Sequence, residues 1–363
     1  MNFTPFDVSC MASALRLARR GLNTTHPNPR VGCIIARHGK RVASGWHQRA
    51  GEAHAEINAL CAAGEKAAGA TVYVTLEPCC HSGRTSPCVE ALVKAKIVRL
   101  VSTHEDPNPE VAGNGFEYLR QAGIEVQTGL LSEQAQALNA GFLQRMRQQR
   151  PWVRIKLAQS MDGHIALANG SSQWISGAPA RADVQAWRAR SDAILTGIGT
   201  VLADDPALNV RLNKDSRQPL RVIVDSHWRL SKDARLLHLG GKVLIAGINS
   251  NAAKHQLSSE RLECIELPVT DGRVDLKALM RELASRGINE VQVEAGATLC
   301  GALLEQRLVD EILIYQAPVL LGGGAVSPFA TPRLNNMLNR IHLKWLDSRQ
   351  IGNDLCLRLQ PVY

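Results

Sequence analysis

His54-Ala55-Glu56 stands 25 positions ahead of Cys79 in Pro78-Cys79-Cys80, and Cys88 follows after an eight-residue loop. An imidazole and two thiols spaced this way can serve one metal ion only if the chain brings separate helix and strand ends to a single point. That requirement constrains the fold of these 363 residues more than any other feature. The set suits Zn²⁺, which in catalytic sites takes three protein ligands and leaves a fourth position for water. His54, Cys79 and Cys88 supply one nitrogen and two sulfurs, although Cys80 or His81 could replace one of them.

The flanking residues supply the chemistry. Bound zinc lowers the pKa of water to roughly 7. Glu56, two residues past His54, is placed to take the water's proton and pass it to a ring nitrogen and a leaving amine. An H-x-E followed by Pro-Cys and a later cysteine is the pattern of hydrolytic deaminases, in which the glutamate is not a ligand. Here the second cysteine lies beyond the short C-x-x-C spacing. Apolar, β-prone runs predict strands over 31–37 and 71–76, and helices over 54–63 and 87–95. His54 and Pro87 then sit at helix starts, where free N–H groups favour a thiolate.

The loop motif Thr75-Leu76-Glu77-Pro78-Cys79-Cys80-His81-Ser82-Gly83-Arg84-Thr85-Ser86-Pro87-Cys88 resembles the deaminase domain of the RibD family of bacterial riboflavin biosynthesis proteins. So do His26-Pro27-Asn28-Pro29-Arg30-Val31-Gly32 and Glu105-Asp106-Pro107-Asn108-Pro109, in the family's order. Ser86 stands where the family usually carries a second proline. The resemblance implies a cytidine-deaminase-like α/β/α domain over residues 1–147. Its substrate would be a diaminopyrimidinone bearing a phosphoribosylamino group, contacted by Asn28, His47, His81, Arg84, Asp106 and Asn108. An asparagine can both donate to and accept from a pyrimidine edge, and a guanidinium suits phosphate. The competing explanation for Asn28 and Asp106 is turn chemistry, since Asn-Pro and Asp-Pro favour turns.

Around residue 150 the pattern changes. Leu131, Ala135, Leu138, Phe142 and Met146 fall at helical spacing and predict one amphipathic helix over 130–146. A boundary is expected at 147–151, with a second α/β domain over 151–363. Strands are expected near 152–157, 192–196, 220–225, 242–247, 290–294 and 311–316, with helices near 178–190, 275–285 and 297–306, an alternation that makes a largely parallel sheet. Glycine-bearing turns follow several strands, at Gly197-Ile198-Gly199-Thr200, Ala295-Gly296-Ala297 and Gly322-Gly323-Gly324. Backbone N–H groups at such turns can cradle phosphate, but no G-x-G-x-x-G fingerprint is present.

Lys156-Leu157-Ala158-Gln159-Ser160-Met161-Asp162-Gly163, Ser172-Gln173-Trp174-Ile175-Ser176, the run from Gly197 to Leu208 with the later Arg211, Val293-Glu294-Ala295-Gly296 and Leu321-Gly322-Gly323 are similar to the reductase domain of the same family. That domain is dihydrofolate-reductase-like. The resemblance implies NADPH contacts from Ala158, Trp174, Thr200, Asp204, Ser226 and a turn comprising Gly296, Ala297, Thr298, Leu299, Cys300, Gly301 and Ala302. Substrate contacts would come from Ser172, Arg188, Leu208, Arg211 and Glu294. Arg188 and Arg211 suit a 5′-phosphate, and Lys156, Asp204 and Glu294 are the polar candidates near the opening ribose carbon. The implied enzyme deaminates the pyrimidine with one zinc per chain, then reduces the ribosyl group with NADPH.

A net charge of +9 invites comparison with nucleic-acid deaminases. The basic residues are dispersed, however, and aromatic residues make up only 4% of the chain, leaving few stacking platforms. The expectation is a phosphorylated small-molecule substrate and no nucleic acid. No apolar run of about 18 residues or basic–apolar leader is seen, so neither a membrane span nor a secretory signal is expected. Nine irregularly spaced cysteines suit a reducing cytoplasm. Exposed strand edges would suit a homo-oligomer, a dimer or tetramer.

Overall fold

The computed structural model describes residues 3–80, 87–213, 216–249, 261–331 and 335–363. They form two compact units that divide between Gln149 and Arg150. The first unit runs α1 (Pro5–Ala18), β1 (Gly32–Arg37), β2 (Lys40–Trp46), α2 (Ala55–Ala63), β3 (Thr71–Val74), α3 (Cys88–Lys94), β4 (Arg99–Ser102), α4 (Asn114–Gln121), β5 (Glu125–Thr128), α5 (Ser132–Leu138) and α6 (Ala140–Gln148). The sheet order is β2-β1-β3-β4-β5. β1 is antiparallel to both neighbours, and β3, β4 and β5 run parallel.

Period-two alternation on β1 divides its apolar residues between two cores. Cys33 and Ile35 pack with Ala55, Ala59 and Leu92, whereas Ile34 and Ala36 pack with Cys10, Met11 and Ala14 of α1. The result is helices on both faces of the sheet. α2 lies so close to β2 that a Cβ at Gly45 would fall 2.4 Å from the Ala55 carbonyl oxygen. Only glycine allows that approach, and the approach seats His54, the residue capping the start of α2.

The single helix expected over 130–146 is instead two, broken at Asn139, whose φ of −112° leaves the helical region. The cause is tertiary. Asn139 is buried, its Oδ1 accepts from the Arg30 N–H at 2.8 Å, and its Nδ2 donates to the Arg30 carbonyl at 2.9 Å. The side chain thus takes the place of a neighbouring strand just ahead of β1. Helical periodicity carries no trace of such a bond.

The second unit runs β6 (Trp152–Gln159), α7 (Ala178–Arg190), β7 (Ala193–Gly197), α8 (Ile198–Asp204), β8 (Leu220–Val224), β9 (Val243–Gly247), β10 (Leu262–Glu266), the short pair β11 (Val269–Thr270) and β12 (Arg273–Val274), α9 (Leu276–Ser285), β13 (Glu290–Val293), α10 (Ala297–Glu305), β14 (Glu311–Gln316), β15 (His342–Ile351) and β16 (Asp354–Val362). Its sheet has the order β10-β9-β8-β7-β13-β6-β14-β16-β15. It is parallel from β10 to β14 and ends in an antiparallel β16–β15 hairpin.

On β6, Val153, Ile155 and Leu157 enter the main apolar core with Val291 and Val293. Arg154 and Lys156 point to the opposite face, the one covered by α7. Arg154 is fully buried between Glu290 (3.3 Å) and Glu311 (3.0 Å). Arg190 adds a second bond to Glu290 (2.8 Å), and Arg358 one to Glu311 (2.7 Å). The guanidinium groups of Arg154, Arg190 and Arg358 lie 4.4, 5.4 and 5.3 Å from the Trp187 ring, so α7 is tied to the sheet by charge and by its indole.

Replacing Asn139 with alanine removes both bonds to the Arg30 backbone from a buried position. The substitution should destabilise the first unit by about 2 kcal/mol. An unfolding midpoint for that unit equal to the wild type's, in urea, would show that the side chain does not hold this junction.

Candidate active sites

The first site forms where the strands of the first unit deliver their ends to one edge. β2 runs in the same direction as β3 and β4, so the turns after all three, and the entry to antiparallel β1, share that edge. His54 caps α2 and Pro87 caps α3. His54 Nδ1 lies 3.3 Å from Cys88 Sγ and 3.4 Å from Cys79 Sγ, and the three ligand atoms lie within 4.8 Å of one another. A tetrahedral zinc with bonds of about 2.0 Å to nitrogen and 2.3 Å to sulfur has N···S edges of roughly 3.5 Å. The donor set and spacing therefore fit zinc. Among the described residues this is the one group of three such side chains close enough to hold a metal. The Cys80 thiol is directed instead to the Glu110 carbonyl, at 3.8 Å.

The protons of the site are shared unequally. Cys79 accepts a hydrogen bond from the Cys88 thiol and another, at 3.4 Å, from the Cys88 N–H at the start of α3. Together with His54 these bring the Cys79 thiol down to about 4. Cys88 moves the opposite way, because it holds the proton shared with Cys79 and is buried. A dication bound by these residues would reverse that second shift and favour both thiolates. Glu56 is buried beside them, and desolvation pushes its carboxyl up to about 7 against the opposing pull of His54.

Of the expected substrate residues, Asn28 and His47 connect to this group through His54. Asn28 Nδ2 donates to His47 Nε2 at 3.1 Å, and His47 Nδ1 donates to the Ala53 carbonyl at 3.1 Å, an assignment that makes the ring neutral. Burial lowers the His47 pKa, and its ring meets His54 edge-on at 5.4 Å. Asp106 Oδ1 accepts from the Asn108 N–H (2.9 Å), and Asn108 Oδ1 from the Glu110 N–H (3.2 Å). Both residues therefore do shape turns. His81 and Arg84 lie outside the described residues. Glu77, absent from the expected set, is buried and binds four backbone N–H groups; its one sequence signal is its place directly before Pro78-Cys79.

In the second unit the carboxyl ends of β6, β7, β8 and β13 are adjacent. Glu294 receives a two-pronged bond from Arg188 (Nε–Oε1 2.7 Å, Nη2–Oε2 2.8 Å) and a third from Gln292 Nε2 (2.8 Å). Burial alone would raise the Glu294 carboxyl, but Arg188 outweighs it and holds the group at about 2. Lys156 is lowered by burial, with Glu294 opposing and Arg188 adding to the shift. Arg188 Nη1 also donates to the Asn209 carbonyl at 3.0 Å, which changes the expectation that Arg188 grips phosphate. Its fork is already committed to Glu294. Arg211 is exposed and lies in the field of Arg188 and Arg235. Gln292 was not anticipated, although its alternation with Glu290 and Glu294 places all three on one face.

The remaining expected residues are dispersed around this edge. Asp204 is exposed at the end of α8, and no hydrogen bond or ion pair among the described residues joins it to Lys156 or Glu294. Thr200 Oγ1 would stand 4.0 Å from a Cβ on Gly296, so the turns after β7 and β13 face each other. Of the turn 296–302, Cys300 and Gly301 are buried, and a Cβ on Gly301 would fall 2.6 Å from the Ala330 carbonyl oxygen. The accessible N–H groups are those at the start of α10. Ser226 Oγ accepts from the Val274 N–H at 3.2 Å. Ala158 and Ser172 are half-buried, and Leu208 is buried with a φ of 46°. Trp174 is 72% exposed with Arg181 4.5 Å above its ring. Open backbone at a helix start fits a phosphate-bearing dinucleotide.

Residues 5–104 match the cytidine and deoxycytidylate deaminase zinc-binding region, and residues 151–357 match the RibD C-terminal domain. Fold, site and these matches define a zinc-dependent deaminase joined to an α/β reductase. The chain is 47% identical to riboflavin biosynthesis protein RibD of Escherichia coli K12, over 97% of this chain and 99% of that protein. It superposes on the structure of Acinetobacter baumannii RibD with a TM-score of 0.91 at 44% identity, covering 99% of each chain. A Thermotoga maritima diaminohydroxyphosphoribosylaminopyrimidine deaminase/5-amino-6-(5-phosphoribosylamino)uracil reductase gives 0.88 at 31% identity, over 98% of this chain and 99% of that one. The chain belongs to the RibD family. It is a bifunctional enzyme of riboflavin biosynthesis with hydrolase and oxidoreductase activities, and its cofactors are zinc and NADPH.

Glu294→Gln should destabilise the second unit at pH 7 by about 3–5 kcal/mol, because Arg188 is left buried without its counter-charge. The ordinary carboxyl value is 4.5 and the folded one about 2, so the ionic contribution is complete above 4.5 and is lost as the pH falls toward 2. The gap in thermal midpoint between variant and wild type should close across that window. A gap that does not change with pH would remove the ion pair as its cause.

Proposed function

We propose that the first unit converts 2,5-diamino-6-(5-phosphoribosylamino)pyrimidin-4-one to 5-amino-6-(5-phosphoribosylamino)uracil, and that the second reduces the ribosyl group of this product to ribityl. The observation that carries the deaminase reading is Glu56, buried with a carboxyl at about 7 against the His54, Cys79 and Cys88 group. A carboxyl poised near neutrality can both accept and return a proton. His54, Cys79 and Cys88 would hold the zinc, which when bound would supply Lewis acidity toward the attacking water. Glu56 carries one proton from that water to the ring nitrogen and then a second from the new hydroxyl on the ring carbon to the amine, so that the C–N bond breaks, the carbonyl forms and ammonia leaves. Asn28 and His47, bonded to each other, face the pyrimidine edge, and Asp106 and Asn108 form the opposite wall. Arg84 and His81 belong to the phosphate side by resemblance.

For the reductase, NADPH supplies the hydride to the ribose C1′. Ala158, Trp174, Thr200, Ser226 and the start of α10 are proposed to hold the cofactor, and Ser172, Leu208 and Arg211 the substrate. Lys156, whose proton is made easier to lose by burial, donates to the ring oxygen as the sugar opens. Glu294, fixed by Arg188 and Gln292, orients that ammonium. Asp204 is left as a cofactor-side residue by its exposed position.

The same reading places the enzyme in the cytoplasm, supported by cysteines of which none is paired in a disulfide among the described residues. No helix among the described residues is long and apolar enough to cross a membrane. A homo-oligomer is proposed from β15, an edge strand exposed along nearly its whole length with Leu343, Trp345 and Leu346 outward.

Glu56→Gln should abolish ammonia release while one zinc per chain and NADPH oxidation on the deaminated substrate persist. Deamination retained by that variant would exclude Glu56 as the proton carrier. Arg211→Ala should raise the reductase KM by about tenfold or more, the scale of one charge-assisted phosphate contact. Its deaminase turnover should not change, and an unaltered reductase KM would reject the phosphate role.

A further inference from the structure

We propose that Glu77 is the positioning residue of the deaminase, holding the Asp106–Asn108 wall of the pocket against the turn that carries Cys79. Glu77 is three residues past the end of β3 and is 4% exposed. Its Oε2 accepts from the N–H groups of Asp106 (3.0 Å) and Gly113 (3.0 Å). Its Oε1 accepts from those of Gly115 (2.9 Å) and Phe116 (3.2 Å). The last two belong to the first turn of α4, so one carboxylate caps that helix and also fixes the residue that opens the wall.

Two further contacts bind the same segment to the same turn. A Cβ on Gly115 would fall 2.2 Å from the Pro78 carbonyl oxygen, so the backbone of α4 lies directly on the peptide that precedes Cys79. The Cys80 thiol reaches the Glu110 carbonyl just after it. Wall and metal-binding turn therefore move as one body, and Glu77 is the joint. An amide in its place offers one accepting oxygen and an NH₂ that would confront two N–H donors. The wall would then shift relative to Cys79 while every metal ligand stayed in place.

The inference rests on Asp106 and Asn108 being substrate residues, so the test examines both. Full-length, zinc-loaded Glu77→Gln and Asn108→Ala are compared with wild type for zinc per chain, deaminase kcat and KM by ammonia release, and reductase kcat/KM in the same preparations. The reductase serves as an internal measure of folded enzyme. For Glu77→Gln we expect a deaminase KM raised about 10-fold or more, the usual scale for residues that orient a metal site's surroundings. Zinc should remain at one per chain, kcat should change less than KM, and the reductase should be unaffected. Glu77→Asp, which keeps both oxygens, should recover part of the KM. A lower thermal midpoint with deaminase KM unchanged in Glu77→Gln, while Asn108→Ala raises it, would make Glu77 merely a stabiliser of the fold and overturn the proposal. An Asn108→Ala enzyme with wild-type KM would instead remove the substrate role of Asn108, whatever Glu77 does. If Glu77→Gln does not fold, Gly115→Ala takes its place, since its methyl would fall 2.2 Å from the Pro78 carbonyl oxygen and 3.1 Å from Glu77 Oε1 and so pushes the same wall away while the carboxylate is kept. It should show the same KM rise, and an unchanged KM in that variant overturns the proposal equally.

Discussion

Parallel strand pairing makes every following helix start at the same edge of its sheet, and both sites of this enzyme are built at such an edge. In the first unit the turn after β3 carries Cys79, the start of α3 carries Cys88, and the start of α2 carries His54. In the second, the ends of β7, β8 and β13 carry Thr200, Ser226 and Glu294. Helix starts present unpaired N–H groups and positive partial charge. The first unit uses this property to favour a thiolate, with the Cys88 N–H at the start of α3 bonded to Cys79 Sγ.

The two sites resolve the cost of buried charge in opposite ways. The first gathers acids: two thiols and a carboxyl in a dry pocket, their proton affinities pushed apart until Cys79 stands at about 4 and Glu56 at about 7. Such a set suits a dication and a single proton carrier. The second unit balances its charges internally. Glu294 is held ionised by Arg188, with Lys156 adding to that pull. The buried Arg154, Glu290 and Glu311 on the same sheet face anchor α7, and so the position from which Arg188 reaches Glu294.

Both elements that escaped the periodicity of the sequence are polar side chains bonded to distant backbone. Asn139 looks like one more polar position on an amphipathic helix, yet it ends that helix because Arg30, 109 residues away, needs a partner. Glu77 reads as part of a motif whose cysteine draws the attention, yet it gathers N–H groups from residues 29 to 39 positions downstream. Local pattern reports which face of an element is apolar. It does not report where a backbone elsewhere in the chain requires an acceptor.

The amino-acid sequence by itself determined the chemistry and most of the strand–helix order. The metal ligands and Glu56 were legible because zinc deamination needs those residue types in that order, and the alternation of β6 through β14 was legible because parallel strands are apolar runs separated by helices. Tertiary structure alone decided how the polar residues divide their work. It committed Arg188 to Glu294, left Arg211 and Asp204 exposed, and packed Gly301 against Ala330. It also joined Asn28 to His47. The physical reason is that charge and hydrogen-bond partnership depend on distances across strands and loops, which sequence spacing does not encode.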